Sequence, residues 1–128
     1  MSNEEAIASV VRAYARCIHE QEEGPFRELW CQNSTCTLIS ITTAYVGIDA
    51  IWHDFIGKLA QIYSTITLVE EKLSIVCLTD DVAVVTFGYH TECERRETGE
   101  PYGIAGIETQ VLVREDGTWR IAHVHYSK

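Results

Sequence analysis

The chain has 128 residues, of which 46% are hydrophobic and 23% charged, a composition that suits one globular domain with its own core. Its formal net charge of −9 argues against the basic patches that nucleic acid and anionic membranes require, so we expect neither as a partner. The N-terminus lacks the pattern of a signal peptide, no apolar run approaches a membrane span, and the five cysteines include no Cys-x-x-Cys pair. These features favour a cytoplasmic protein with reduced thiols.

Three amphipathic helices are predicted in the first half of the chain. Ser2 and Glu5 have the spacing of a capping box, and the apolar residues that follow predict a helix of about five turns. A second helix restarts at Pro25, which suits a first helical turn, and ends near Asn33. The third helix has its apolar stripe within Ile48–Leu59.

Most of the remaining chain has strand patterns. A short strand over Thr35–Thr42 separates the second and third helices, and Ala44–Gly47 is predicted as a turn. Two long strands, Ile66–Leu78 and Val82–Cys93, are followed by a polar loop, Glu94–Gly103. This order predicts an α+β fold in which helices cover one face of a curved antiparallel sheet of about four to six strands.

The C-terminal segment has a strong β-hairpin pattern. Two strand-like runs, Ile107–Arg114 and Thr118–Tyr126, flank an Asp-Gly pair, which favours a type I′ turn because both central residues need positive φ. A two-residue loop places Gln110 opposite His123, and each face of the hairpin is then apolar or aromatic in part. Because the helices can cover only one face, we expect a homodimer through the outer sheet face.

Two histidines near the C-terminus are the most chemically suggestive pair. His123 and His125 lie two residues apart on one strand, so their imidazoles can converge on the same face. They could bind a metal with Glu108, which the predicted ladder places opposite His125, or His123 could act as a general base near neutral pH. The alternative is that both are structural. We expect no metal and no cofactor, and we keep His123 as a candidate catalytic residue.

The chain resembles the SnoaL-like and ketosteroid-isomerase-like branch of the nuclear transport factor 2 superfamily, and most of all the association domain of calcium/calmodulin-dependent kinase II. The resemblance rests on the segments ETQVLVREDGTWRIAHVHYS, VVRAYARCI and VGIDAIWHDF. It implies one SnoaL-like domain over residues 1–128. The implied fold is a cystatin-like cone, in which three N-terminal helices pack on a strongly bent antiparallel sheet around a pocket.

The resemblance also assigns candidate catalytic positions. Tyr14 takes the place of the tyrosine that donates a hydrogen bond to the enolate in steroid isomerases, although a core aromatic is the alternative interpretation. The place of the isomerase base holds Leu38 or Ser40, and that of its second acid holds Thr109. Because neither place holds a carboxylate, proton abstraction next to a carbonyl is not supported.

The implied pocket is neutral and aromatic. Tyr89, Gln110 and Tyr126 occupy the places of the pocket arginines of the association domain, and a carboxylate ligand would need such a cation. The tight turn puts Tyr126 on the face opposite Gln110, so both can face the pocket only if a bulge lies near the end of the last strand. The expected ligand-binding residues are Trp30, Trp52, Phe55, Tyr89, Gln110 and Tyr126.

Two functions remain open from the sequence. One is a binding module without catalysis, whose pocket holds a small, partly apolar molecule. The other is an isomerase, dehydratase or cyclase acting on an apolar ring or a polyketide-like substrate, with Tyr14 or His123 handling the proton. A shared fold does not choose between them.

Overall fold

The computed structural model describes residues 1–128 and begins with two helices, α1 (Asn3–Glu20) and α2 (Glu23–Glu28). The predicted capping box is present: the Ser2 hydroxyl accepts from the Glu5 N–H, and the Glu5 carboxylate accepts from the Ser2 N–H. The second helix is shorter than predicted. None of the helices is both long enough and apolar enough to cross a membrane.

The third helical region departs from the predicted regular α-helix. It begins as a π-helical segment, Ala50–Ile56, and continues as α3, Gly57–Ile62. The Gly57 N–H donates to the Trp52 carbonyl five residues earlier, which is the hydrogen-bond spacing of a π-helix. Ile51 and Ile56 share this spacing and are fully buried.

Seven strands form one sheet in the order β2-β1-β7-β6-β4-β3, and the short β5 pairs with β4. The strands are β1 (Thr37–Ile39), β2 (Ala44–Val46), β3 (Tyr63–Cys77), β4 (Val82–Arg95), β5 (Pro101–Tyr102), β6 (Ala105–Glu115) and β7 (Thr118–Ser127). All pairs are antiparallel except β1 with β7, which run parallel. The parallel pair and the additional strands were not predicted.

The predicted α+β cone is confirmed, since the sheet is strongly curled and holds helices in its concave side. Two of the short strands lie where the sequence predicted irregular structure. β2 occupies most of the predicted turn Ala44–Gly47, and β5 lies inside the predicted loop Glu94–Gly103. Register shifts in the β3–β4 and β6–β7 pairs add local bends, which help a sheet to curl.

The closing hairpin turns at the predicted Asp-Gly pair, and both residues have positive φ (51° and 80°). The predicted ladder holds from the turn as far as Leu112 opposite Ile121. One extra residue, Ala122, then shifts the register, so that Val111 lies opposite His123. The predicted pairing of Gln110 with His123 is therefore wrong: Gln110 pairs with Val124.

The shift decides which side chains face the interior. Beyond Ala122, Val124 and Tyr126 are buried, whereas His123 is half-buried and His125 exposed. Tyr126 lies opposite Glu108 and shares the inner face with it. The C-terminal part of β7 thus directs the Tyr126 side chain inward and the imidazoles of His123 and His125 outward.

The core lies between α1 and the inner face of the sheet. Ile7, Val11, Tyr14 and Ile18 of α1 are buried at the helical spacing that the sequence predicted. They belong to one hydrophobic cluster with inner-face residues of β4, β6 and β7. Full burial of an aliphatic side chain stabilises a fold by roughly 1.5–3 kcal/mol, so this stripe accounts for the position of α1.

Candidate functional site

An apolar cavity of about 180 Å³ lies among α1, the third helical region, the β1–β2 connection and the inner faces of β3 and β4. Twelve of its 14 lining residues are hydrophobic, and the lining contains no charged residue and no histidine. The lining residues that carry a hydroxyl are Ser40, Thr91, Tyr63, Tyr89, Tyr102 and Tyr126. The cavity therefore suits an uncharged molecule or part of a molecule that makes few polar contacts.

Three of the predicted ligand-binding residues line this cavity: Phe55, Tyr89 and Tyr126. The Tyr126 ring contacts both of the others, since its centroid lies 5.7 Å from that of Phe55 and 6.0 Å from that of Tyr89. Tyr89 and Tyr126 are almost completely buried. The structure thus brings together residues from the third helical region, β4 and β7 at one wall.

The two predicted tryptophans lie elsewhere. Trp30 is fully buried, and its ring packs 6.1 Å from Tyr14 and 5.9 Å from Phe26 between centroids. Trp52 is half-buried and packs 5.0 Å from Phe26. Both belong to an aromatic cluster in the core, and neither lines the cavity. Helical periodicity identified their inward direction but could not separate core from cavity wall.

Tyr14 does not line the cavity but is hydrogen-bonded to Tyr126, which does. Its hydroxyl is hydrogen-bonded to the Tyr126 hydroxyl, and either oxygen can be the donor. Burial raises the pKa of both tyrosines well above the ordinary value, and the nearby Glu108 carboxyl raises both further. Both phenols consequently stay protonated at neutral pH. Tyr126 lines the cavity, and Tyr14 lies behind it.

The sequence indicated Glu108 only as a possible metal ligand, and its burial beside Tyr126 was missed. It is fully buried, and its Oε1 accepts a hydrogen bond of 2.9 Å from Nε2 of Gln110. Burial raises the pKa of Glu108 to about 8, although Gln110 and the Tyr126 hydroxyl act in the opposite direction. The carboxyl is therefore mostly protonated at neutral pH.

The proton on this carboxyl can be assigned from its hydrogen bonds. Because Oε1 of Glu108 already accepts from the Gln110 amide, the acidic proton belongs on Oε2. That Oε2 has no hydrogen-bond partner in the protein, and neither does Oε1 of Gln110. Buried polar atoms of this kind normally have partners, and because neither residue lines the cavity, a ligand bound there would not contact these two atoms directly.

The structure also shows where the residues matched to the isomerase acids lie. The resemblance matched the second acid of the isomerases to Thr109, but Thr109 faces outward and the adjacent Glu108 faces the interior. Of the places matched to the isomerase base, Leu38 is buried and Ser40 lines the cavity, and neither is acidic. The only feature of the sequence that could have indicated a buried Glu108 is an acidic residue between uncharged residues of a predicted strand. The predicted register instead paired Glu108 with His125.

The candidate catalytic residue His123 lies on the opposite side of the sheet from the cavity. Its Nδ1 is 2.7 Å from Oγ1 of Thr37 on β1, and its ring centroid is 6.3 Å from that of His125. Burial and the neighbouring His125 lower the pKa of His123. Glu108 faces inward, so the three residues considered for a metal do not converge, and no other cluster of three or more ligand side chains is present.

Comparisons with known proteins agree with this fold. A family model described as a SnoaL-like domain matches residues 1–125. The fold is similar to that of a nuclear transport factor 2 (NTF2-like) superfamily protein from Salmonella enterica serovar Typhimurium, with 25% identity, a TM-score of 0.89, and coverage of 96% of this chain and 88% of that one.

Two further solved structures have lower identity and support the fold alone. A protein from Shewanella frigidimarina described as a putative ketosteroid isomerase has 21% identity and a TM-score of 0.79, covering 95% of this chain and 94% of that one. A putative calcium/calmodulin-dependent protein kinase II association domain from Xanthomonas campestris has 17% identity and a TM-score of 0.82, covering 99% and 88%. No curated protein matches the sequence.

Proposed function

The chain belongs to the SnoaL-like domain family, and from this membership we propose that it binds one small, largely apolar molecule in the cavity beside Tyr126. The fold has members that are isomerases and members that are dehydratases, so the fold alone does not choose the chemistry. The observation that carries the proposal is an apolar cavity with Tyr126 in its wall and the buried Glu108 opposite Tyr126 in the β6–β7 ladder.

The cavity volume limits the size of the ligand. An apolar cavity of roughly 150 Å³ in another protein holds benzene. At about 180 Å³, the cavity here matches a single six-membered ring with a small substituent. A fused multi-ring skeleton would require the surrounding segments to move apart, so we propose a single-ring ligand rather than a steroid.

The wall offers hydrogen-bond donors to a ligand oxygen. The Tyr126 hydroxyl can accept from Tyr14 and donate to a carbonyl or hydroxyl oxygen of the ligand. Glu108 lies opposite Tyr126 in the ladder but does not line the cavity, so Tyr126 is the member of this pair that can contact a ligand. In an apolar site, such donors discriminate strongly in favour of a molecule that has an acceptor in the right place.

A second candidate function is acid-assisted catalysis, and Glu108 is the observation that favours it. A carboxyl with a pKa of about 8 holds a proton that can be transferred near neutral pH. For this role Oε2 of Glu108 would have to donate its proton to the neighbouring Tyr126 hydroxyl, which would in turn donate its own proton to a carbonyl or to a leaving hydroxyl, as an isomerase, dehydratase or cyclase requires. The cavity lining supplies no carboxylate or imidazole as a base, which is why binding is the first proposal.

We extend the proposal to the assembly and location of the protein. The outward-facing side chains of β6 include Val111 and Val113, which are half-buried, and a second copy packed on this face would cover them. A homodimer through the outer sheet face is therefore part of the proposal. A cytoplasmic location fits the cysteines, all of which are free thiols.

A pair of matched ligands tests the proposal. Acetophenone and ethylbenzene have similar size, and only acetophenone has an oxygen acceptor. We expect both to bind, and Tyr126→Phe to weaken acetophenone by about two- to tenfold while changing ethylbenzene by less than about twofold, because one hydrogen bond is lost. Calorimetric titration measures both affinities.

Tyr45→Phe is the matched control. Tyr45 packs against Phe55 at 5.4 Å between centroids but does not line the cavity, so the loss of its hydroxyl should leave both affinities unchanged. Absence of binding for both ligands would contradict the proposal. Equal weakening of both ligands in Tyr126→Phe would contradict the contact between Tyr126 and the ligand oxygen.

A further inference from the structure

One cationic side chain leaves the sheet at the rim of the cavity. Tyr89, Thr91 and Cys93 occupy alternate positions of β4, and all three line the cavity. Arg95 is the next residue with the same orientation and the last residue of the strand, because side chains on one face of a strand recur every second position. It lies opposite Tyr63, another lining residue, in the β3–β4 ladder.

One aromatic ring of a stacked pair holds the Arg95 guanidinium at this rim. Its central carbon lies 4.6 Å from the ring centroid of Tyr102, and the Tyr102 ring stacks on that of Tyr63 at 5.6 Å and 16°. Both tyrosines line the cavity. Tyr102 is fixed in turn by the pairing of β5 with Cys93. The stacking fixes the plane of the guanidinium and leaves its N–H edge available.

The Arg95 side chain has no anionic partner in the protein. The arginines paired with a carboxylate are Arg12, Arg27, Arg114 and Arg120. The neighbouring Arg96 donates to the carbonyls of Ala60 and Tyr63. Arg95 makes neither kind of contact, although it is half-buried. A guanidinium in this state retains its full capacity for a two-pronged contact with a carboxylate.

We propose that Arg95 binds the carboxylate of an amphiphilic ligand whose apolar ring occupies the cavity. This inference rests on the proposed function and narrows its ligand class to small aryl- or cycloalkyl-alkanoic acids. The neutral lining receives the ring, and the acid group stays at the rim, where solvent reduces the cost of holding a charge. The ligand oxygen near Tyr126 and the carboxylate near Arg95 would then mark the two ends of the molecule.

The charge of the whole chain makes this inference sharply testable. A formal net charge of −9 repels acids in general, so a preference for an acid must come from a local contact. 3-Phenylpropanoate and 3-phenylpropanamide differ only in the terminal group. We expect the protein to bind the propanoate about five- to twentyfold tighter than the propanamide at low ionic strength. This is the size of effect expected for charge-assisted hydrogen bonds between Arg95 and a carboxylate at a partly exposed site.

Three variants separate the Arg95 contact from other effects. Arg95→Gln should remove the preference for the acid and leave the affinity for the amide within about twofold of the parent. Arg95→Lys should restore part of the preference, because it keeps the charge without the planar fork. Arg16→Gln removes a cation of α1 that has no ion pair and does not line the cavity, and it should retain the full preference.

Thermal unfolding of each variant confirms that the fold is kept. If the parent protein binds both probes equally, or if Arg95→Gln keeps the preference for the acid, the inference is wrong while the proposed function stands. If neither probe binds, the inference and the proposed function are both wrong. If Arg16→Gln loses the preference as well, the effect is one of total charge and the Arg95 contact is again refuted.

Discussion

Glu108 lies directly opposite Tyr126 in the β6–β7 ladder, on the buried face of the closing hairpin. The pairing exists because the single extra residue Ala122 shifts β7 by one position before Tyr126 is reached. A phenol and a carboxyl are thereby placed beside each other in the core, and the phenol lines the cavity whereas the carboxyl does not. Bulges of this kind commonly re-aim side chains near functional sites.

The buried Glu108 should make the stability of the protein fall as the pH rises. Its folded-state pKa of about 8 is above the ordinary value of 4.5, so the unfolded chain loses its proton first. The stabilising effect is complete below about pH 4.5, decreases through neutral pH and is lost above about pH 8. The full effect is on the order of 5 kcal/mol in the free energy of unfolding.

Glu108→Gln isolates this effect. Glutamine has nearly the shape of a protonated glutamic acid and cannot ionise, so we expect similar stabilities for the variant and the parent at about pH 5 and a more stable variant at about pH 8. Urea unfolding at both pH values measures the difference. An unchanged gap between the two proteins at both pH values would show that Glu108 does not ionise with a raised pKa.

The hydroxyl pair of Tyr14 and Tyr126 should be energetically coupled. Each single change to phenylalanine leaves one buried hydroxyl without its partner, and the double change removes both. We therefore expect the two single variants to lose about 1–3 kcal/mol each and the double variant to lose less than their sum. Urea unfolding of all four proteins gives the coupling energy. Strict additivity would mean that the two hydroxyls do not interact.

His123 should be dispensable for ligand binding. Its imidazole lies on the outer face of the sheet, against Thr37, and the lining of the cavity does not include it. We expect His123→Asn to change the affinity for acetophenone by less than about twofold, because a side chain beyond the sheet makes no contact with the ligand. A large loss of affinity in a variant with unchanged thermal stability would restore His123 as a site residue.

The outer sheet face should mediate a homodimer. Val111 points outward from the middle of β6, so a charge there would be buried in the proposed interface. Light scattering should give twice the 14.5 kDa of one chain for the parent and one chain mass for Val111→Glu. Leu78→Glu is the control, since Leu78 is 61% exposed in the β3–β4 turn. A parent protein that is monomeric at micromolar concentration would contradict this expectation.

The sequence predicted those parts of the fold that depend on local pattern. The helical stripe of α1, its capping box and the Asp-Gly turn follow from spacing and from residues with strong conformational preferences. β1 lies within the predicted strand Thr35–Thr42, whereas β2 has only three residues, too few for a periodic signal, and was predicted as a turn. The parallel pairing of β1 with β7 depends on contacts between distant segments, and no local pattern in either strand indicates it.

The site was predicted less completely, and one residue explains most of the difference. Ala122 has no sequence signal that distinguishes a bulged residue from a regular strand residue, yet it reverses the orientation of every side chain beyond it. Alternation therefore placed His123 inside and Tyr126 outside, whereas the resemblance placed Tyr126 correctly at the cavity. Glu108 and Arg95 acquire their significance from burial and from neighbours, which alternation alone does not give.

The carbonyl stretching frequency of bound acetophenone tests the central claim most directly, because hydrogen bonds from Tyr126 lower this frequency in proportion to their strength. Isotope-edited infrared spectroscopy, with the carbonyl carbon labelled, isolates the band from the protein background. We predict a frequency clearly below that of acetophenone in hexane, and a return towards the hexane value in Tyr126→Phe. A bound ketone with the hexane frequency in the parent protein, or an equally low frequency in Tyr126→Phe, would contradict the account.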